Sequence, residues 1–203
     1  PSAAWRAAPL AARATAPLAA EAGRAGAVEL VRQEPFEVHR VYLDDDGTFP
    51  NNRACPLLLY RGVWRGRSRR EGEAALVGSG WTSPWAWGVF PYHHYHSNAW
   101  EALLCVGGEA EVQFGGPAGP ALITETGDLL LIPPGVAHKQ LRASADFVLL
   151  GSYPNETPDA DTVRGAPDEA QRKNIAACPL PATDPLFGAD AAPWGDTGIA
   201  ALF

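Results

Sequence analysis

The stretch GVFPYHHYHSNAWEALLCVGG, residues 88–108, places three of the chain's five histidines within four positions, and a glutamate follows five residues after the last. On an extended chain, residues two apart face the same way. His94 and His96 therefore share one face, and His93 and Tyr95 take the other. Ser97 and Asn98 are turn formers. A reversal there carries Glu101 onto an adjacent antiparallel strand, where it can face the same side as the two imidazoles. Two imidazoles and one carboxylate on one wall form half of a site for a borderline divalent metal. A fourth ligand must come from elsewhere, and the chain offers His39 and His138. His138 follows a PPG turn at the start of a strand, a position that can aim a side chain into a barrel mouth.

Short strand signals surround this stretch. They recur at 85–96, 100–106, 109–114, 121–125, 129–133, 136–141 and 146–152, separated by glycine- and proline-bearing turns. Pro134 and Gly135 hold the positions preferred in a type II turn. About seven short strands at this spacing predict a sandwich or small barrel. Upstream, 36–43 alternates as a strand and 56–60 is a short apolar one. Residues 68–77 are the best helix, with Glu71 and Glu73 near its start. A further short helix is expected around 167–175. Residues 1–34 read as an arm, partly helical over AAEAGRAGAVELVRQ but weakened by Gly23 and Gly26. The expected division is an N-terminal arm and first strand over 1–54, a barrel over 55–153, and a tail over 154–203 packed on the barrel or on a partner subunit.

Composition narrows the function classes. The chain has 203 residues, 46% of them apolar, with 21 glycines and 19 prolines, which favours a β-rich fold over a helical bundle. Its formal charge of −7 argues against a nucleic-acid partner, because phosphate binding needs a basic surface. Arg61, Arg65, Arg67, Arg69 and Arg70 cluster locally, but Glu71 and Glu73 follow closely, so a solvated face is expected. Three cysteines without CxxC spacing exclude a disulfide framework and favour the cytoplasm. No apolar run approaches the ~20 residues that span a bilayer, so no membrane partner is expected.

Two motifs carry a resemblance. Gly88, His94, His96, Glu101 and Gly108 fit every position of the first cupin motif. The segment GDLLLIPPGVAH is similar to the second, through Gly127, Pro133, Gly135 and His138. The intermotif segment is eighteen residues, 109–126. The last position of the second motif is usually Asn and is Arg142 here; that Asn is not a metal ligand. The phrases DFVLLGSYP and PLPATDPLFG further resemble a group of single-domain bacterial cupins, the YjlB-like proteins.

The resemblance implies an all-β double-stranded β-helix, a jelly-roll barrel, with an N-terminal arm, one short helix and a long C-terminal tail. It implies one divalent metal per chain (Fe, Mn, Ni, Co or Zn) held by His94, His96, Glu101 and His138. Three histidines and one glutamate leave up to two open positions on an octahedral ion. That favours a metal-dependent enzyme acting on a small polar or carboxylated molecule, oxygenase first and isomerase or lyase second. The alternatives are a small-molecule sensor or carrier without turnover, and a structural cupin stapled by its metal. Tyr92, Gln113 and Arg142 are the candidates to orient substrate, Arg142 through a bidentate pair with a carboxylate or phosphate. His39 reads as an ordinary strand residue, and Cys105 as a small core residue. Trp85 and Trp87 lie on the face opposite His94, which calls for cover from the tails or a second subunit and is consistent with a homodimer.

Overall fold

Ten strands and two helices, all strand pairs antiparallel, make up the computed structural model, which describes residues 28–33 and 36–189. The strands are β1 (Val28–Gln33), β2 (Phe36–Leu43), β3 (Asn52–Arg61), β4 (Trp85–Trp87), β5 (Glu101–Gly107), β6 (Glu109–Phe114), β7 (Ala121–Glu125), β8 (Leu129–Ile132), β9 (His138–Ala143) and β10 (Val148–Ser152). The helices are α1 (Arg69–Gly78) and α2 (Glu169–Ala177), at the two places where the sequence pattern put them. Seven strands form one sheet in the order β1-β2-β3-β8-β5-β10-β4, and three form the other in the order β7-β6-β9.

Period-two alternation sorts the side chains. On β6, Ala110, Val112 and Phe114 are buried, and they pack with Leu57, Leu59, Leu103, Cys105, Leu130 and Leu149 of the large sheet. This is the barrel interior. The central strands of the large sheet are apolar on both faces because both are covered. Leu58, Tyr60, Ala102, Leu104, Leu131 and Leu150 form a second core beneath α1 and the tail. Odd-numbered residues of β5 point into the barrel, and Glu101 is the first of them.

α1 starts at Ser68 with a reciprocal capping box: the Glu71 amide donates to Ser68 Oγ, and the Ser68 amide donates to Glu71. Its Gly72 rests on the sheet, so closely that a Cβ would stand 2.9 Å from Leu104.

Two expectations need correction. The segment VELVRQ, read as a partly helical arm, is strand β1, paired residue for residue with β2; the rest of that expected arm lies outside the described residues. The strand expected over 85–96 is broken. Only Trp85–Trp87 is regular, and pairing resumes through isolated bridges at His94 and Tyr95. Pro91 has no N–H to donate, which interrupts a ladder there. Trp85 and Trp87, 36% and 62% exposed on the edge strand β4, are not covered by the described part of the tail.

Candidate metal centre

The PPG turn sets the site's frame. Val136 N–H donates to Pro133 O (3.2 Å), and Gly135 takes φ +89°, where a Cβ would lie 2.5 Å from Asn51 O. Gly135 N–H also reaches His96 O (2.8 Å). From there residues 135–140 run antiparallel to 90–96. His94 and His138 exchange both backbone hydrogen bonds (3.2 and 2.9 Å), and Gln140 N–H donates to Phe90 O (3.0 Å). This pairing sets the His94 and His138 rings 4.1 Å apart, centre to centre.

His94, His96 and His138 are buried, and one ligand atom from each lies within 4.8 Å of the others. Glu101 reaches them from β5, with Oε1 3.4 Å from His96 Nε2 and Oε2 3.2 Å from His138 Nε2. The second nitrogen of every ring is taken. Nδ1 of His94 lies 3.3 Å from Tyr92 O, Nδ1 of His138 lies 3.1 Å from Val136 O, and Nδ1 of His96 contacts Asp161 O. A carbonyl only accepts, so each Nδ1 carries the proton and each neutral ring turns a lone pair inward at Nε2. Three lone pairs and a carboxylate thus face one another. His96 Nε2 and Glu101 Oε2 are buried without a hydrogen-bond partner. Such orphaned acceptors are costly unless a cation sits among them. Two donors at right angles on an ion, each ~2.1 Å from it, would stand about 3 Å apart, close to the separations of Glu101 from His96 and His138.

In the metal-free protein the electrostatics keep His94 neutral and draw charge to the His96–Glu101 pair. Burial, aided by His138, pushes His94 down to about 3. Burial opposes charge on His96 and Glu101 as well, yet their mutual attraction prevails: His96 is raised, and Glu101 is held below the usual carboxylate range with help from His138. A depressed histidine stabilises the fold above its unfolded value near 6.5 and loses that contribution as pH falls towards 3. The lowered Glu101 acts in the same direction below its unfolded value near 4.5, whereas the raised His96 acts oppositely above its unfolded value near 6.5. Chelator-treated protein is therefore expected to lose stability steadily between pH 6.5 and 3. Urea melts across that range check this, and a flat profile there contradicts the ring assignments.

Other candidates lie where parity puts them, with one exception. His93 turns away from the cluster and packs on Phe49, with ring centres 5.3 Å apart. Tyr92 stands beside His94 (5.9 Å) and stacks on Phe90 (4.9 Å). Gln113 shares the outer face of β6 with Glu109 and Glu111, and its amide donates to Pro117 O and Gly119 O, so it does not wall the site. Arg142 is the exception. The β6–β9 register shifts so that Val112 faces Gln140 and Glu111 faces Arg142. Leu141 is the extra residue, and the bulge turns Arg142 outward to pair with Glu111 at 2.7 Å. Cys105 sits in the barrel core, its thiol pushed up to about 12 by burial. His39 lies on β2 beside Glu37.

Two contributors escaped the sequence reading. Tyr153 Oη donates to Glu101 Oε1 (3.3 Å), and its ring meets His96 edge-on. Asp161 holds the His96 ring through its carbonyl, while its carboxylate accepts from Ser97 N–H and Oγ, both 2.5 Å. Tyr153 closes the phrase GSYP just after β10, but no local pattern ties Asp161 to a histidine 65 positions earlier.

Two sheets closed over such a cluster are the architecture of a cupin, and a cupin-domain family model matches residues 86–148. The protein YjlB of Bacillus subtilis (strain 168) is 40% identical over 154 residues, 75% of this chain and 92% of that protein. The chain belongs to the cupin family, within its YjlB-like group. Among solved structures, a Klebsiella pneumoniae protein with a double-stranded β-helix domain is 12% identical, with TM-score 0.32 over 71% of this chain and 83% of that one. A Neisseria meningitidis protein is 14% identical, with TM-score 0.28 over 65% and 87%.

Proposed function

We propose that His94, His96, Glu101 and His138 hold one divalent ion, of the Fe, Mn, Ni, Co or Zn group, and that the chain is a metal-dependent enzyme acting on a small polar or carboxylated molecule. The observation that supports this most directly is the convergence of three buried imidazoles and a carboxylate in which His96 Nε2 and Glu101 Oε2 have no hydrogen-bond partner. A bound ion would supply Lewis acidity, or an anchor for oxygen, at positions the four ligands leave open. The chain's own groups do the rest. The carbonyls of Tyr92, Val136 and Asp161 keep the rings oriented. Tyr153 holds Glu101 in place with a proton it does not readily release, because burial and the neighbouring carboxylate raise its pKa. Phe90 and Tyr92 form an aromatic wall on His94. Oxygenase chemistry is the first reading, isomerase or lyase chemistry the second.

The competing reading is a metal that only staples the barrel. Burial of all four side chains, none more than 5% exposed, favours it. Protein purified without chelator is expected to carry about one metal per chain by elemental analysis. Oxygen uptake with a panel of catechols, thiols, diketones and amino acids then separates the readings. Uptake with none of them removes the oxygenase, and a chain that accepts none of the five metals removes the metal site. We also propose a homodimer, supported by the exposed Trp87 and Val77, and a cytoplasmic protein, supported by three free cysteines. No helix among the described residues is long and apolar enough to cross a membrane.

A further inference from the structure

The role that motif position assigned to Arg142 is vacant, since that guanidinium is paired with Glu111 on the outer face. A different arginine, Arg164, rests on Tyr92, the ring beside His94. Val163, in the segment after the barrel, exchanges both backbone hydrogen bonds with Tyr95 (3.1 and 2.9 Å). The side chains of Val163 and Tyr95 share one cluster with Phe49 and Ala137. Alternation from that bridge turns the next residue, Arg164, to the opposite face, the one His94 uses. Its guanidinium carbon sits 3.6 Å from the centre of the Tyr92 ring, and that ring lies 5.9 Å from His94.

We propose that Arg164 is the specificity-determining residue of this site, binding the carboxylate of a substrate whose other end meets the metal; this deepens the reading above and rests on it. Contact with Tyr92 occupies the flat face of the guanidinium and leaves its N–H edge free. Other arginines around the barrel are matched with carboxylates: Arg61 with Asp128, Arg65 with Glu125, Arg142 with Glu111 and Arg172 with Asp45. Arg164 is exposed and has neither an ion pair nor a hydrogen bond among the described residues. The Tyr92–Phe90 stack, capped edge-on by Trp87 (5.5 Å), gives the cation a rigid apolar backing. Its position is tied to the cluster, because Asp161, three residues earlier, holds the His96 ring. A rigidly backed cation with a free fork fits a carboxylate bidentately.

The test uses full-length protein loaded with Co(II), whose visible bands report ligand exchange. Oxalate, malonate and succinate are titrated into wild type, Arg164→Gln and Arg164→Lys, with azide as a ligand too small to bridge metal and arginine. Metal content is measured in the same samples. The expected result is unchanged cobalt stoichiometry and azide affinity, a loss of at least about tenfold in affinity for the best dicarboxylate in Arg164→Gln, and an intermediate loss in Arg164→Lys. Equal dicarboxylate affinity in wild type and Arg164→Gln, with both loaded, overturns the role of Arg164 and leaves the metal site standing. Equal losses for azide and dicarboxylate also overturn it. Failure of wild type to load cobalt overturns the metal reading and this inference together.

Discussion

Glu101→Gln is expected to weaken metal binding by at least ~100-fold while changing the stability of the metal-free protein only slightly, because the lost attraction to His96 is offset by a new donor to His138. The two effects share one cause. Glu101 contributes the only negative charge among four converging acceptors, so its loss removes the group that best attracts a divalent ion. The amide that replaces it keeps an oxygen for Tyr153 and turns an N–H towards His138 Nε2, now 3.2 Å from Oε2. One buried lone pair gains a donor, worth about 1 kcal/mol. Metal titration and chelator-treated urea melts, run side by side, separate the large loss of affinity from the small change in stability. His138→Ala should also lose the metal, but with an added cavity penalty, because that ring is 1% exposed. If Glu101→Gln binds metal like wild type, the ligand set is wrong.

Asp128→Ala is expected to cost about 3–5 kcal/mol of stability, equivalent to a fall of roughly 10 °C in Tm. Asp128 is fully buried in the turn before β8. It accepts from Arg61 Nη1 (2.6 Å), Gly62 N–H (2.8 Å) and Glu125 N–H (3.1 Å). Alanine strands two amides and leaves a partly buried guanidinium with the Ile123 carbonyl but no counter-charge. Asp128→Asn keeps acceptor capacity for the amides and should lose less. Thermal melts by circular dichroism rank the three proteins. A loss under 1 kcal/mol in Asp128→Ala would show that water replaces the carboxylate without difficulty.

Much of this architecture was legible in the residues. The alternation of β6 identifies its buried face, and the bounds of β6 and β7 match the turns that flank them. Parity alone separates His93 from His94 and His96, because facing is a local property of extended chain. The failures have a shared cause in non-local pairing. β1 is a strand only because β2 lies beside it, and VELVRQ lacks the alternation that would announce it. Leu141 forms a bulge only because β9 is paired with β6, so counting by twos beyond Gln140 assigns Arg142 to the wrong face. Asp161 and Arg164 reach the cluster through the bridge at Val163, which no period in the tail encodes.

The order in which the chain leaves the ribosome gives that last bridge a further meaning. Every strand among the described residues, through Ser152, emerges before Asp161 and Arg164 do. A nascent barrel thus exposes three histidines and a glutamate while the His96 ring still lacks its carbonyl partner and the aromatic wall its cation. Full ligand orientation waits until the segment after β10 has been made and has docked along residues 94–97. Any ion the four side chains hold would thus meet its complete set of oriented rings only after that segment is in place, in a finished pocket rather than a growing one.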